Sequence, residues 1–309
     1  MGDVNTTAQI EFQNNIELQL QHKNSVLWDT CEEQQCSGSE KETVKDLIGE
    51  AEDQEADERH GDLKETDPGH DRVWIVKPNE RYFNKFVDGA DQLATKIGLT
   101  GGYTMAAMAT MHRAWDSAIL EGAYGPMLMG KDGITTQPLP STMIVPVTLG
   151  GASGPQRMNV AKVRQAKLVL DQAFNEADDP RYMALSAVQA DDLLSEVQAT
   201  NGDYAKAFGV RLDADGNLIG LLGFNIKRIE LRNPKLRAFK RGLTVTPGGY
   251  TRNPFWVRSG IRKGVWNKLR TSIKDQPQKV DTRNVFAGTT MAATRTQAGK
   301  VGYIENSEA

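Results

Sequence analysis

Gly150–Pro155, GGASGP, comes closest to a nucleophile motif. A nucleophile elbow needs Gly-x-Ser-x-Gly on a sharp strand-to-helix turn, which presents the serine to a base. Here Pro155 stands two residues after Ser153, and His112 is the last histidine of the chain, so no downstream base completes a triad. A flexible loop is the better reading, and a hydrolase using Ser153 or a carboxylate pair is the weaker alternative. The pairs Asp178–Asp179 and Asp191–Asp192 flank or open helical stretches, where a carboxylate suits the helix dipole without catalysis. LDADGNL, Leu212–Leu218, begins like a calcium loop, but its glycine is misplaced and no glutamate closes it, so it reads as a hairpin turn. Cys31 and Cys36 lie in one acidic segment, CEEQQC, while His22, His60, His70 and His112 are scattered. Two free thiols in a reducing compartment are expected, with no metal and no cofactor. GLTGGY, Gly98–Tyr103, could offer backbone N–H groups to an anion, but glycines before a helix are common. No P-loop, dinucleotide fingerprint or HExxH helix is present.

Charge is more informative than any motif. The chain carries only −3 overall, yet residues 31–71 hold 15 acidic and 4 basic side chains, and residues 225–300 hold 18 basic and 3 acidic ones. Either the basic part faces nucleic acid, or the acidic part of one copy lies on the basic part of another and registers self-assembly. The basic run also interleaves aromatics, with Phe255, Trp256, Arg258, Arg262, Lys263, Trp266, Lys268 and Arg270. Stacking on bases is one use of such a run; tryptophans anchored in a core with the basic residues outside them is the preferred one. Mean hydropathy is −0.50, no apolar run reaches the length of a membrane span, and the first 15 residues lack the pattern of a secretory leader.

The elements that must position these residues centre on Asp91–Ala123. Within it, Thr104–Ala123 is the clearest helix, with Met108, Met111, Trp115, Ala118 and Gly122 along one side. His112, Arg113, Asp116, Ser117 and Glu121 fall on the opposite side, with Arg113 able to pair with Asp116. Twenty residues at 1.5 Å make a rod about 30 Å long. A rod with an apolar face and no reactive cluster is a beam. Before it, residues 1–30 are Gln- and Asn-rich and too poor in apolar area to fold alone, and 72–87 read as strands broken at Pro78–Asn79. After it come a loop region with short strands, a helix over Asn159–Ala177 capped by Asn159, and a strand at Tyr182–Leu185. A capping box at Ser186–Gln189 opens a helix to about Ala199, and a hairpin turns at Asp215-Gly216. The basic remainder is strand-like, with Trp256, Val257, Ile261, Val265, Trp266 and Leu269 as core candidates and VGYIE as the last strand.

Read together, QIEFQNNIELQLQHKNSVLWDT, ERHGDLKETDPGHDRVWIV, AMATMHRAWDSAILEGAYG, NVAKVRQAKLVLDQA, GLLGFNI and GTTMAATRTQAGKVGYIE resemble a family of tailed-bacteriophage major capsid proteins. The resemblance spans nearly the whole chain, and Phe12–Lys23, the RHGD…DPGH segment and Arg113-x-x-Asp116 are its most specific parts. It implies an α+β chain with the Hong Kong 97-type capsid fold. On that pattern residues 1–30 are the N-terminal arm, 31–71 the E-loop, 72–134 the peripheral (P) domain with the beam as spine helix, 135–240 the axial (A) domain, and 241–309 the return strands of the P-domain.

The resemblance further implies a non-enzymatic homo-oligomer of pentamers and hexamers, an icosahedral shell around non-specifically held double-stranded DNA. Portal, scaffolding and decoration proteins would be separate partners, assembly would take place in the host bacterial cytoplasm, and no membrane is involved. A cleaved N-terminal domain and a Lys–Asn crosslink are not expected. Glu52, Asp53, Glu55, Asp57 and Glu58 on one copy, and Arg258, Arg262 and Lys263 on its neighbour, are the candidate inter-subunit contacts. A cellular nanocompartment shell and a DNA-binding protein using the basic C-terminal third are the alternatives.

Overall fold

The structure, a computed structural model, describes residues 23–38, 40–49, 51, 53, 65–66, 68–88, 99–151, 154–196, 209–275 and 282–308. The expectations on residues 1–22, 91–98, 197–199, Ser153, Glu52, Glu55, Asp57 and Glu58 lie outside them. The described residues form three sheets and one long helix.

The first sheet runs β1 (Glu32–Gln35), β13 (Ile261–Asp275), β14 (Thr282–Arg295) and β4 (Arg81–Asp88), with β1 parallel to β13 and the other neighbours antiparallel. The helix α1 (Leu99–Tyr124, 26 residues) lies along this sheet. Gly101 and Gly102 fall inside it without ending it. Its contact with the sheet is close at one point. A Cβ on Gly122 would meet the carbonyl carbon and oxygen of Ala293 at 2.6 Å, so only glycine lets the helix backbone rest on β14 there. Met111, Trp115 and Ala118 are buried as the apolar stripe requires. Asp116 and Ser117, on the polar side, are also buried. The reason is that residues 25–30 and α4 (Arg237–Lys240) cover that side, and each supplies a hydrogen bond to it.

The second sheet has seven strands. In spatial order they are β7 (Ile144–Val145), β15 (Val301–Asn306), β12 (Thr251–Val257), β8 (Arg181–Leu185), β11 (Phe224–Arg228), β10 (Leu218–Leu221) and β9 (Arg211–Leu212). It packs with α2 (Val160–Gln172) over a core that includes Val163, Leu170, Met183, Phe224 and Phe255. Asn159 caps α2 by accepting the Lys162 N–H, as expected, but the helix stops at Gln172 rather than Ala177. Phe174 adopts a left-handed φ of 55°, and the Asn175 side-chain amide donates to the Leu170 carbonyl, closing the end. The box at Ser186 and Gln189 is formed and opens α3 (Ala187–Ser195). Asp215-Gly216 turns the β9–β10 hairpin with Gly216 at φ 78°.

The strands of residues 241–309 divide between these two sheets, whereas the sequence reading placed all of them with the long helix. β12 pairs with β8 and β15 with β12, so these two belong to the seven-stranded sheet, and only β13 and β14 return to α1. The third sheet is antiparallel, in the order β2 (Lys41–Ile48), β3 (His70–Val76), β5 (Met127–Met129), β6 (Thr135–Gln137). Its stem is pinned to the rest through Val44, Val73, Ile75 and Met127, which pack against Cys36 and Trp266. No helix is long and apolar enough to cross a membrane, and no group of side chains suited to a metal occurs among the described residues.

Candidate inter-subunit surfaces

The polar side of α1 is where distant parts of the chain meet. Asp116, buried, accepts hydrogen bonds from the Ser25 hydroxyl at 2.5 Å and from the backbone N–H groups of Val26 at 3.1 Å and Leu27 at 3.0 Å. Residues 25–27 would otherwise bury these donors unpaired, and a carboxylate satisfies several at once. Trp28 then packs against Trp115 with ring centroids 4.7 Å apart and planes tilted by 47°, and the Trp256 indole N–H donates to the Thr30 carbonyl at 3.1 Å. The segment leading out of the N-terminal stretch is thus fastened to the beam before it becomes β1.

β1 brings two acidic residues onto the basic strand β13. Glu32 pairs with Arg262, whose guanidinium also donates to the Val44 carbonyl at 3.0 Å, and Glu33 lies 3.4 Å from Lys263. Lys263 is almost fully buried, with its ammonium 3.7 Å above the Trp28 ring and donating to the Trp28 carbonyl. Burial lowers its pKa from the ordinary lysine value, and the Glu33 carboxylate pulls the other way. Arg258, by contrast, is exposed, as is Asp53. Of the three basic candidates, then, Arg262 and Lys263 hold partners within their own chain, Glu32 and Glu33.

A second cluster escaped the sequence reading. Glu121 on α1 receives three guanidinium groups: Arg81 at 3.0 Å, Arg241 at 2.9 Å and Arg237 at 3.6 Å. Arg81 also donates to the Ala114 carbonyl. Burial lowers its pKa; Glu121 opposes this, while Arg237 adds to it. A cavity of about 480 Å³ opens beside the cluster, lined by Arg81, Glu121, Gly122 and Arg241. The signal available in the sequence was PKLRAFKRG, Pro234–Gly242, with four basic residues and no acid. The carboxylate pairs have structural partners, Asp192 with Arg157 at 2.8 Å and Asp179 with the Ser259 N–H. The tryptophans of the basic run are core anchors, Trp256 fully and Trp266 partly buried.

A family model described as phage capsid protein matches residues 4–308. No curated protein matches the chain. Among solved structures, the capsid of cyanophage P-SCSP1u is similar at 10% identity, TM-score 0.71, covering 96% of this chain and 92% of that one. The mature capsid of bacteriophage PhiM1 follows at 11% identity and TM-score 0.68, over 96% and 91% of the two chains. The capsid of Ralstonia phage GP4 is similar at 13% identity and TM-score 0.63, over 94% and 93%. These likenesses establish a fold of the Hong Kong 97 type: an acidic hairpin, a long helix beside a four-stranded sheet, and a seven-stranded sheet with its own core. With the family match running from residue 4 to residue 308, the chain belongs to the phage capsid protein family.

Proposed function

We propose that this chain is the major capsid subunit of a tailed bacteriophage, closing as pentamers and hexamers into an icosahedral shell around double-stranded DNA. Residues 1–30 are its arm, 31–71 its E-loop, 72–134 with β13 and β14 its P-domain, and 135–240 with β12 and β15 its A-domain. The observation that carries the reading is the family match over residues 4–308. The protein performs no chemical step; its work is binding. Portal, scaffolding and decoration proteins act as separate partners, and assembly takes place in the host bacterial cytoplasm.

The charge map supports a mechanism. Residues 49–69 hold nine acidic and two basic side chains at the far end of the β2–β3 stem. Such a segment gains when it lies on the basic face of a neighbouring copy, with Asp53 and the nearby acids meeting exposed cations such as Arg258. Each exposed pair contributes roughly 0.2–1 kcal/mol and is screened by salt. Repetition over a closed shell turns that small term into register, while apolar burial supplies most of the strength.

The stem provides the test. The Gly49 N–H donates to the Gly69 carbonyl at 2.7 Å, so a short turn can join these residues without disturbing β2 or β3. Replacing residues 50–68 by such a turn yields a folded chain that forms no stable shells. Normal shells from that variant would sink the proposed role of the segment.

A further inference from the structure

The sequence left two uses for the basic C-terminal third, and the structure separates them by place. Arg262 and Lys263 are spent on Glu32 and Glu33 within the chain. The cations of Lys235, Arg237, Lys240 and Arg241, by contrast, stand exposed on the short helix α4 and its flanks, where it packs across the polar side of α1. The one carboxylate among them, Glu121, is only 14% exposed and already shared by three guanidinium groups. Arg237 and Arg241 are about half exposed (48% and 52%), and each spends one nitrogen on Glu121. Their remaining donors have no partner among the described residues. Glu121 therefore holds both forks in place while the patch keeps a large positive surplus.

From this arrangement we infer that the α4 face of the subunit, Lys235, Arg237, Lys240 and Arg241 backed by Arg81, is a sequence-independent contact for the phosphate backbone of duplex DNA, and hence the face turned toward the packaged genome. The inference rests on the shell reading and adds the orientation of the subunit within it. Two features favour phosphate over a packed face of a second copy. The core of a protein–protein interface is apolar and poor in charge, whereas DNA interfaces are polar and strongly basic. No large apolar side chain is exposed between Ile219 and Ile273 among the described residues. Guanidinium forks also match phosphate oxygens two at a time, and a fork already oriented by a carboxylate loses less freedom on binding.

The test uses the full chain, unassembled at nanomolar concentration so that either face is open to a fluorescent random-sequence 30-base-pair duplex, titrated from low to high salt. The same preparations are then concentrated, and particle formation is read by light scattering and electron microscopy. K235Q/R237Q/K240Q/R241Q should bind about a hundredfold more weakly near 0.1 M salt, and its salt slope should fall by roughly 3–4, about 0.9 per phosphate contact. The doubly changed K235Q/K240Q keeps every Glu121 pair and guards against misfolding; its slope should fall by about 2. The equal-charge control K131Q/R164Q/K167Q/K274Q should change affinity less than about threefold. Equal losses in control and test variants, or no loss in the test variants, would overturn the assignment. Unchanged DNA binding with failed shells would also overturn it, by giving the face to a neighbouring copy. Wild-type shells seen in the same preparations keep the shell reading standing whichever of these results is found.

Discussion

The Asp116 carboxylate accepts the backbone N–H of Leu27 at 3.0 Å, joining the middle of the long helix to a segment 89 residues earlier in the chain. Val26 and Ser25 share the same acceptor, so one buried carboxyl group orders the chain between the N-terminal stretch and β1. Asp116→Ala removes it and leaves buried donors without a partner. A loss of about 2–4 kcal/mol in urea unfolding of the unassembled chain is expected. A loss below about 0.5 kcal/mol would mean that the segment is held by its other contacts, Trp28 on Trp115 and Thr30 with Trp256.

The approach of α1 to β14 makes a sharper demand. Gly122→Ala places a methyl group against the Ala293 carbonyl, and overpacking of this kind costs about 1–3 kcal/mol. Gly69→Ala, with nothing within 4 Å of the added carbon, should stay within about 0.5 kcal/mol of wild type. Comparing the two melting curves isolates the contact from the general effect of a lost glycine.

Cys31 and Cys36 are free and buried, and burial pushes both thiols up to about 12. The folded chain should therefore resist iodoacetamide at pH 8, and both thiols should react once it is unfolded in urea. The linkage has one sign. A thiol raised above its unfolded value of 9.0 contributes stability that is whole below pH 9 and is lost as pH rises from 9 toward 12. Cys31→Ala should flatten that alkaline decline; an unchanged decline would assign it to other groups.

Local rules served well where local forces decide. The Asn159 cap, the Ser186–Gln189 box and the Gly216 turn each depend on residues within a few positions, and each is formed. The apolar stripe of α1 was legible for the same reason, because helical period alone sets it. What covers the polar stripe was not legible, because Asp116 and Ser117 are covered by segments about 90 and 120 positions away, which no periodicity reports. The fate of the basic run followed the same pattern. Its composition showed a surplus, but only the parallel pairing of β1 with β13 shows Arg262 and Lys263 already taken, and only the packing of α4 on α1 shows which cations stay exposed. Strand membership was the hardest to read: β12 and β15 look like β13 and β14 in composition, yet they pair with β8 and with each other.

The claim that this chain builds a shell is tested most directly by electron microscopy of the purified full-length protein. Closed particles of uniform diameter with fivefold and sixfold clusters of subunits are the predicted result. Monodisperse monomers, persisting at high protein concentration in low and moderate salt, would contradict it.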